Sequence, residues 1–291
     1  AFHLGVSSVV APRASRNSLN GRARRESMGW PYRMDVHLAD GLVERPWKKP
    51  GGRPRVLAAG RAGSLAAGGR EHPPSGRGWA LVLAAEGRSF CAGGDLAWMR
   101  AQFEMDSATR RRESARIATA LGALYALPQP LIGRVQGNAF GGGIGLMSVC
   151  DVTIGADHIT CGLTETRLGL IPANIGPDVV ARMGPVRAAE VFMNARLFKA
   201  AEAVRLNLLT RAVPFDALDA ALEAEVAPYM DCAPGAVRDA KALLRQLSGG
   251  IDPAAVGGAI DALCARWDSA EAQAGIAAFF DKRPAPWSRE S

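Results

Sequence analysis

Two glycine-rich turns are the stretches of this sequence whose residue types and spacing suit catalysis. FCAGGD occupies residues 90–95 and FGGGIG occupies residues 140–145. Each turn lies between an apolar, strand-like run and a helical one, and the first N–H groups of a helix lack intrahelical acceptors, so they can bind an anion or a developing negative charge. If both turns lie at one edge of a parallel sheet, the amides of Gly94 and Gly142 converge as an oxyanion hole, which stabilises charge on a carbonyl oxygen.

Two other interpretations of the second turn remain open on the turn alone. One is a turn that serves only close packing, and the other is a phosphate-binding loop. No Lys-Ser or Lys-Thr pair follows the glycines, and their spacing is not G-x-G-x-x-G. The sequence therefore disfavours the phosphate loop, and the pairing with the first turn favours the oxyanion hole.

The elements that must position these turns can be read from apolar periodicity and breaker residues. An Asp106-Ser107 cap signal precedes an amphipathic helix at 108–126, and Pro128 and Pro130 follow it. Strand, helix and strand in this order indicate a right-handed crossover and a parallel sheet. The predicted strands are 79–85, 131–137, 151–155, 159–162 and 211–214, and the predicted helices after the second turn are 175–183, 186–194 and 199–207.

The last part of the chain, 217–280, has a helical pattern interrupted by proline and glycine. Its apolar residues exceed what a small satellite region would bury alone, so we expect part of this surface to form a subunit contact. These residues are Ile260, Leu263, Ile276, Phe279 and Phe280.

Charge and composition divide the chain near residue 79. The formal net charge is +7, but residues 1–78 hold 14 Lys and Arg against 5 Asp and Glu, whereas the remainder holds 21 against 23. No apolar run reaches the roughly 18 residues that span a bilayer, so no membrane span is expected. The cysteines form neither a CxxC pair nor an even set, which indicates a reducing, cytoplasmic location without a zinc site; they are Cys91, Cys150, Cys161, Cys232 and Cys264.

The first 78 residues are the least typical of a folded enzyme. Residues 1–33 are arginine-rich and resemble a transit peptide or vector-derived translation. A short strand is predicted at 34–43, and residues 44–78 show neither strand alternation nor a helical stripe. Such Arg/Gly/Pro/Ala composition is typical of disorder, or of GC-rich DNA read out of frame. The domain division that follows is an extension at 1–33, a core at 34–215 and a helical region at 216–291.

Four motifs in order resemble the enoyl-CoA hydratase/isomerase (crotonase) family. They are FCAGGDL at 90–96, GNAFGGGIGLMSVCDVTIGAD at 137–157, TETRLGLIPA at 164–173 and AGIAAFFDKRPAPW at 274–287. The resemblance covers residues 79–287, and the motif sequences are most similar to those of bacterial methylglutaconyl-CoA and isohexenylglutaconyl-CoA hydratases. It implies an α/β fold, a spiral of ββα turns with a C-terminal helical trimerisation region, and a homotrimer or dimer of trimers.

The resemblance also implies an acyl-CoA substrate, with coenzyme A as part of that substrate and no separate cofactor, DNA or metal. The thioester oxygen would lie between the amides of Gly94 and Gly142, with Gly141 beside them. Glu165 would be the catalytic carboxylate, flanked by Thr164. The other implied substrate-binding residues are Ala92, Asp95, Leu96, Gly145, Arg167 and Lys282, the last of which would reach the CoA phosphates.

One departure from the family pattern leaves the reaction open. Many family hydratases use two glutamates, and the position of the first is Gly145 here. One carboxylate suffices to move a double bond, because it can take a proton from one carbon and return it to another. Addition of water to C2=C3 is harder to account for with one carboxylate, unless Glu165 both activates the water and relays its proton, or another group holds the water. We predict a hydratase, with a Δ3-Δ2 isomerase as the alternative. Arg167 has two open interpretations, a structural ion-pair residue or the partner of a 3-methylglutaconyl carboxylate.

Four lesser candidates carry weaker signals. His158 beside Asp157 is expected at the surface, Cys91 and Cys161 are expected to be packing residues, and Arg110-Arg111-Arg112 is expected to form a solvated helix face. A function of another class also remains open, a non-catalytic acyl-CoA- or RNA-binding homologue in which the basic residues 1–78 contact an acidic partner.

Overall fold

The computed structural model describes residues 35–37, 54–59, 80–85, 87–94 and 96–288. The described part contains ten strands in two sheets. In chain order they are β1 (Asp35–His37), β2 (Pro54–Ala59), β3 (Ala80–Ala85), β4 (Ser89–Cys91), β5 (Leu131–Val135), β6 (Asn138–Phe140), β7 (Val152–Ala156), β8 (Thr160–Gly162), β9 (Leu197–Lys199) and β10 (Arg211–Val213).

The larger sheet has six strands in the order β1-β2-β3-β5-β7-β10. Neighbours are parallel except β2 and β3, which are antiparallel. The central strands ALVLAA and LIGRV are buried along their whole length, as expected for parallel strands covered on both faces. Leu83 and Leu131 face the main core, whereas Val82 and Ile132 face a second cluster under a C-terminal helix.

The smaller sheet consists of β4, β6, β8 and β9, and its first three strands are parallel. Each of those three strands closely follows a strand of the larger sheet, and a helix or helical turn comes next. The chain thus repeats a strand of the larger sheet, a short strand of the smaller sheet and a helix or helical turn. The ββα spiral predicted from the family resemblance is confirmed.

Ten α-helices are present in the described residues. Their bounds are α1 (Leu96–Glu104), α2 (Ser107–Tyr125), α3 (Gly142–Ser148), α4 (Gly176–Met183), α5 (Pro185–Phe192), α6 (Ala200–Arg205), α7 (Leu218–Val226), α8 (Pro234–Leu247), α9 (Pro253–Trp267) and α10 (Ala270–Phe280). None of the helices in this part of the chain is long and apolar enough to cross a bilayer. The predicted cap of α2 is confirmed, because the Asp106 carboxylate accepts a 2.6 Å hydrogen bond from the Thr109 amide.

The arginine run at the start of α2 does not form a wholly solvated face, so that prediction is wrong for Arg110. Arg110 is buried, its guanidinium pairs with Asp268, and its Nε donates to the Met105 carbonyl at 3.1 Å. Arg111 pairs with Asp261 on α9. These contacts attach α9 to α2.

The C-terminal apolar residues are used differently from the prediction. Ile260, Leu263 and Ile276 are buried inside the chain, and the last two share a cluster with Leu170 and Ala173. The sequence argument for a subunit contact at these three residues is therefore wrong, because they cover the chain's own core.

Parts of the predicted N-terminal organisation can be compared with the structure. The strand predicted at 34–43 coincides with β1, and the rest of that range lies outside the described residues. Within 44–78, where the sequence analysis found no strand, PRVLAA forms β2 and pairs with β3 over six residues. The sequence analysis missed this strand because it is short and has no alternating polar face. Residues 1–33 lie outside the described part.

Candidate active site

The two glycine turns touch each other at the ends of two neighbouring strands. β4 and β6 are parallel neighbours, with Cys91 paired to Ala139, so the turns after them leave the same edge of the sheet. Gly93 and Gly141 have φ values of +101° and +50°, which side chains with a Cβ rarely adopt. An ideal Cβ on Gly141 would lie 3.9 Å from the Cα of Gly93. The predicted meeting of the turns is thus confirmed.

The backbone amides of Gly141 and Gly142 in the second turn differ in their hydrogen bonding. The Gly141 N–H donates to the Gly162 carbonyl at 3.0 Å, so β8 already uses that donor. Gly142 begins α3, where the first N–H groups of a helix lack intrahelical acceptors. Gly94 and Gly142 border the same cavity. The role of their two amides as an oxyanion hole stays a prediction.

Glu165 lies directly against the second turn. It begins a 3-10 turn, Glu165–Leu168, and an ideal Cβ on Gly141 would lie 3.0 Å from its Oε1. Burial raises the pKa of the Glu165 carboxyl to about 7. Its Oε2 is buried without a hydrogen-bond partner among the described residues. A carboxylate with these properties can take up and release a proton near neutral pH.

Close backbone contacts with α10 fix the turn that carries Glu165. Gly169 ends the turn with φ +75°, and a Cβ on it would lie 2.6 Å from the Glu271 carbonyl oxygen. A Cβ on Gly275 of α10 would lie 2.6 Å from the Leu168 carbonyl oxygen. Arg266 Nε also donates to the Gly169 carbonyl at 2.6 Å. The C-terminal helices therefore hold the turn that carries Glu165 in place.

A cavity of about 530 Å³ lies beside both glycine turns and Glu165. Apart from the turns, its walls are mostly apolar and come from α1, α2, α9, α10 and the segment after Glu165. Most acyl-CoA thioesters present an apolar chain next to a polar carbonyl, and this cavity offers apolar walls next to amide donors. The apolar lining includes Trp98, Met99, Ile117, Phe140, Leu170, Ile175, Leu263 and Phe279.

Comparison with known proteins agrees with this geometry. The model of the enoyl-CoA hydratase/isomerase family matches residues 76–290, which is most of the chain. The chain belongs to the enoyl-CoA hydratase/isomerase family. Its members are enzymes, and relatives of this chain are named as enoyl-CoA hydratases.

Individual relatives agree with the family assignment. A Thermus thermophilus protein provisionally named an enoyl-CoA hydratase is 34% identical over 211 residues, which are 70% of this chain and 81% of the relative. Among solved structures, an enoyl-CoA hydratase from Shewanella pealeana is 35% identical with a TM-score of 0.56, over 71% of this chain and 77% of that one. Pseudomonas aeruginosa AtuE is 35% identical with a TM-score of 0.54, over 69% and 78% of the two chains. The mycobacterial relatives EchA17 are matched over only 62% of their own length.

The structure brings most of the predicted site residues together. Those that border the cavity are Ala92, Gly94, Gly141, Gly142, Thr164, Glu165 and Arg167. Asp95 and the side chain of Leu96 lie outside the described part. Lys282 is exposed after α10 and does not border the cavity. Its predicted contact with CoA phosphates stays a prediction.

Gly145 is a predicted site residue that, like Lys282, does not border the cavity. It is buried in α3, and an ideal Cβ there would lie 2.5 Å from Cγ2 of Ile175 and 3.4 Å from Cδ1 of Leu121. The space that a side chain at this position would enter is therefore filled by apolar groups. A second carboxylate at this position would clash with Ile175, so Glu165 is the carboxylate that the described lining offers.

Arg167 has no carboxylate partner among the described residues. It is exposed at the cavity and belongs to the same 3-10 turn as Glu165. Its guanidinium is therefore free of the structural ion pair that the sequence analysis left open, as far as the described chain shows.

Three of the lesser candidates lie where the sequence predicted them: His158, Cys91 and Cys161. His158 is exposed, 3.9 Å from the Asp157 carboxylate, and its ring contacts Phe215 away from the cavity. Cys91 and Cys161 are buried, and burial raises the pKa of the Cys161 thiol to about 12. A thiol with so high a pKa is a poor nucleophile at neutral pH. All of these residues are confirmed as surface or packing residues.

Sequence reasoning missed two polar side chains in the cavity wall. The buried Oδ1 of Asn174 and the buried Nε1 of Trp267 have no hydrogen-bond partners among the described residues. The motif TETRLGLIPA ends at Ala173, one residue before Asn174, and Trp267 reaches the site from α9, about 100 residues later. A polar residue directly after the motif that contains Glu165 was the available signal for Asn174.

Proposed function

We propose that this protein is an enoyl-CoA hydratase that adds water across the C2=C3 double bond of an acyl-CoA thioester. The observation that carries the proposal is the Glu165 carboxyl, buried with a pKa of about 7 and lying against the glycine turn at Gly141 and Gly142. The Gly94 and Gly142 amides stabilise the enolate oxygen, which lowers the barrier to forming the enolate.

The proton inventory of the reaction needs only one carboxylate. Ionised Glu165 accepts a proton from water as the water oxygen bonds to C3, and the thioester oxygen takes the negative charge. The neutral Glu165 then gives the proton to C2 and is again a carboxylate. A pKa near 7 suits both steps, because neither protonation state is strongly favoured at neutral pH.

A Δ3-Δ2 enoyl-CoA isomerase is the second candidate, and the filled space at Gly145 favours it. Ile175 occupies the place where a second carboxylate would stand. Isomerisation needs one group that moves a proton between two carbons and no bound water. Both reactions use the same Glu165 and the same amides, so the product distinguishes them.

For the acyl group, we propose a short chain that ends in a carboxylate, as in 3-methylglutaconyl-CoA. Arg167 supports this proposal, because it borders the cavity and has no carboxylate partner among the described residues. A guanidinium binds a carboxylate through two parallel hydrogen bonds. The apolar walls suit the remainder of the chain.

A product assay with wild type and Arg167→Met tests both the proposed reaction and the proposed acyl group. Wild type is expected to convert 3-methylglutaconyl-CoA and crotonyl-CoA to 3-hydroxyacyl-CoA products. Arg167→Met keeps a long side chain and removes the charge, so the KM for 3-methylglutaconyl-CoA is expected to rise roughly tenfold, the value of one charge-assisted contact. The KM for crotonyl-CoA, which has no distal carboxylate, should stay within about twofold.

Each other outcome has a definite meaning. Conversion of a 3-enoyl-CoA without hydration of either 2-enoyl ester would establish the isomerase instead. An equal rise in KM for both esters would show that Arg167 does not recognise the acyl carboxylate.

A further inference from the structure

Besides Glu165, the cavity is bordered by a polar side chain, that of Asn174, to which the reaction above assigns no role. Asn174 borders the cavity, and its carboxamide oxygen is buried without a hydrogen-bond partner among the described residues. Leaving a buried acceptor unpaired costs roughly 1–3 kcal/mol, so such an atom normally has a partner. Other buried acceptors without a partner, on Gln102, Ser114 and Gln136, do not border the cavity.

The placement of Asn174 follows from its neighbour. Ile175 is buried against Gly145, with its Cγ2 2.5 Å from where a Cβ of Gly145 would be. Hydrogen bonds fix the segment on both sides, since the Ala173 amide donates to the Ile171 carbonyl at 2.8 Å and the Gly176 amide donates to the Ala173 carbonyl at 3.2 Å. The same chain turn that closes the space beside α3 thus brings a carboxamide to the cavity wall.

Hydration requires a hydrogen-bond acceptor for the attacking water, and the Asn174 carboxamide oxygen is such an acceptor. A water molecule that attacks C3 gives one proton to Glu165, and its second O–H group needs an acceptor if the water is to be held in one orientation. Glu165 and Asn174 both border this cavity, and Glu165 Oε2 and Asn174 Oδ1 are buried acceptors without partners among the described residues. Trp267 Nε1, which also lacks a hydrogen-bond partner among the described residues, only donates and cannot fill this role.

We propose that Asn174 is a catalytic residue for hydration, whose carboxamide oxygen accepts a hydrogen bond from the attacking water while Glu165 takes the water's other proton. The inference rests on the proposed function. The water oxygen bonds to C3, its proton moves through Glu165 to C2, and Asn174 keeps the second O–H proton on what becomes the C3 hydroxyl group. No other reactant is needed.

Asn174→Leu and Asn174→Asp test the proposal. Leucine has nearly the shape of asparagine without its polar atoms, and replacing an unpaired buried polar group by an apolar one is not expected to destabilise the fold. Aspartate keeps an oxygen acceptor at the same place. Each variant, wild type and Glu165→Gln is assayed for crotonyl-CoA hydration and for exchange of the C2 protons of butyryl-CoA with D2O, which needs a base but no attacking water.

The proposal predicts that Asn174→Leu lowers hydration roughly 10- to 100-fold, as the loss of one buried hydrogen bond would. Its C2 exchange should stay within about twofold of wild type, and Asn174→Asp should hydrate within roughly fivefold of wild type. Glu165→Gln should lose both reactions.

Three results would overturn the role of Asn174. They are hydration by Asn174→Leu within twofold of wild type, an equal loss of hydration and exchange in that variant, and a loss in Asn174→Asp as large as in Asn174→Leu. Absence of hydration by wild type, with exchange intact, would instead show that the proposed function itself fails.

Discussion

At the residue scale, Glu165 is an ionisable group in an unfavourable environment. Glu165 has a buried carboxyl, and desolvation raises its pKa from 4.5 to about 7. Its Oε2 has no hydrogen-bond partner among the described residues, and no cation of the described residues lowers the pKa of this carboxyl. A carboxylate in such surroundings costs folding free energy whenever it is ionised, and this cost is typical of catalytic groups.

The cost predicts a pH-dependent gain in stability for Glu165→Gln. Because the folded-state pKa is raised, the carboxyl favours folding fully below pH 4.5, and this contribution is lost as the pH rises through about 7. Glutamine does not ionise. The variant is therefore expected to be more stable than wild type by about 1–3 kcal/mol at pH 8 and equally stable near pH 4.5.

Urea unfolding of both proteins at the two pH values measures this difference. Other groups titrate alike in both proteins, so the difference between them isolates Glu165. A constant difference between pH 4.5 and pH 8 would show that the carboxyl is not desolvated.

At the element scale, the site depends on how α10 packs against the turn that carries Glu165. Gly275 of α10 leaves no room for a side chain, because a Cβ would lie 2.6 Å from the Leu168 carbonyl oxygen and 2.7 Å from the Trp287 ring. Gly258 of α9 offers a matched control, because a Cβ there meets no heavy atom within 4 Å.

Gly275→Ala and Gly258→Ala are expected to change the free energy of unfolding in opposite directions. The first should destabilise the protein by about 1–3 kcal/mol through overpacking and lower turnover, since it displaces the turn of Glu165. The second should stabilise it by about 0.5–1 kcal/mol, because alanine favours a helix over glycine. Urea unfolding and turnover of an enoyl-CoA check both. Equal effects of the two substitutions would mean that α10 does not press on the turn.

The sequence predicted some secondary-structure elements well and others poorly, and the difference has physical reasons. The buried strands at 80–85 and 131–135 and the helix α2 have strong local signals, and their predicted bounds agree with the structure within two residues. The three-residue strands β6 and β9 are too short to show a period, so the second sheet was known only through the family resemblance. The contact of Ile175 with Gly145 joins residues 30 apart, and nothing local to either residue indicates it.

At the scale of the whole molecule, α8 packs its polar residues inward and its leucines outward. Lys241 is buried, its Nζ donates to the Gln129 carbonyl at 2.6 Å, and it pairs with the Asp151 carboxylate. Arg245 stacks over the Tyr125 ring at 4.1 Å. The opposite side exposes three leucines by 54–76%: Leu243, Leu244 and Leu247. Such an apolar face on one helix indicates a contact surface.

We expect this face of α8 to contact a second copy of the chain, in line with the trimer that the family resemblance implies. If copies of the chain associate through this face, Leu244→Glu with Leu247→Glu should give a smaller species without unfolding the chain, because both side chains are exposed within one chain. Leu243 is left unchanged so that a single helix turn is altered. Analytical ultracentrifugation, with circular dichroism as the folding control, measures the change. An unaltered mass would exclude this face as the subunit contact.

The central claim is that the Glu165 carboxylate is the base for hydration, and the pH dependence of kcat/KM tests it most directly. In wild type, kcat/KM for a 2-enoyl-CoA should be constant above about pH 7 and fall tenfold per pH unit below it, since only ionised Glu165 accepts the proton. Glu165→Gln should lower the plateau by roughly 100- to 10,000-fold and remove the fall, while butyryl-CoA still binds. A wild-type profile without a limb near pH 7, or a glutamine variant with unchanged turnover, would contradict the account.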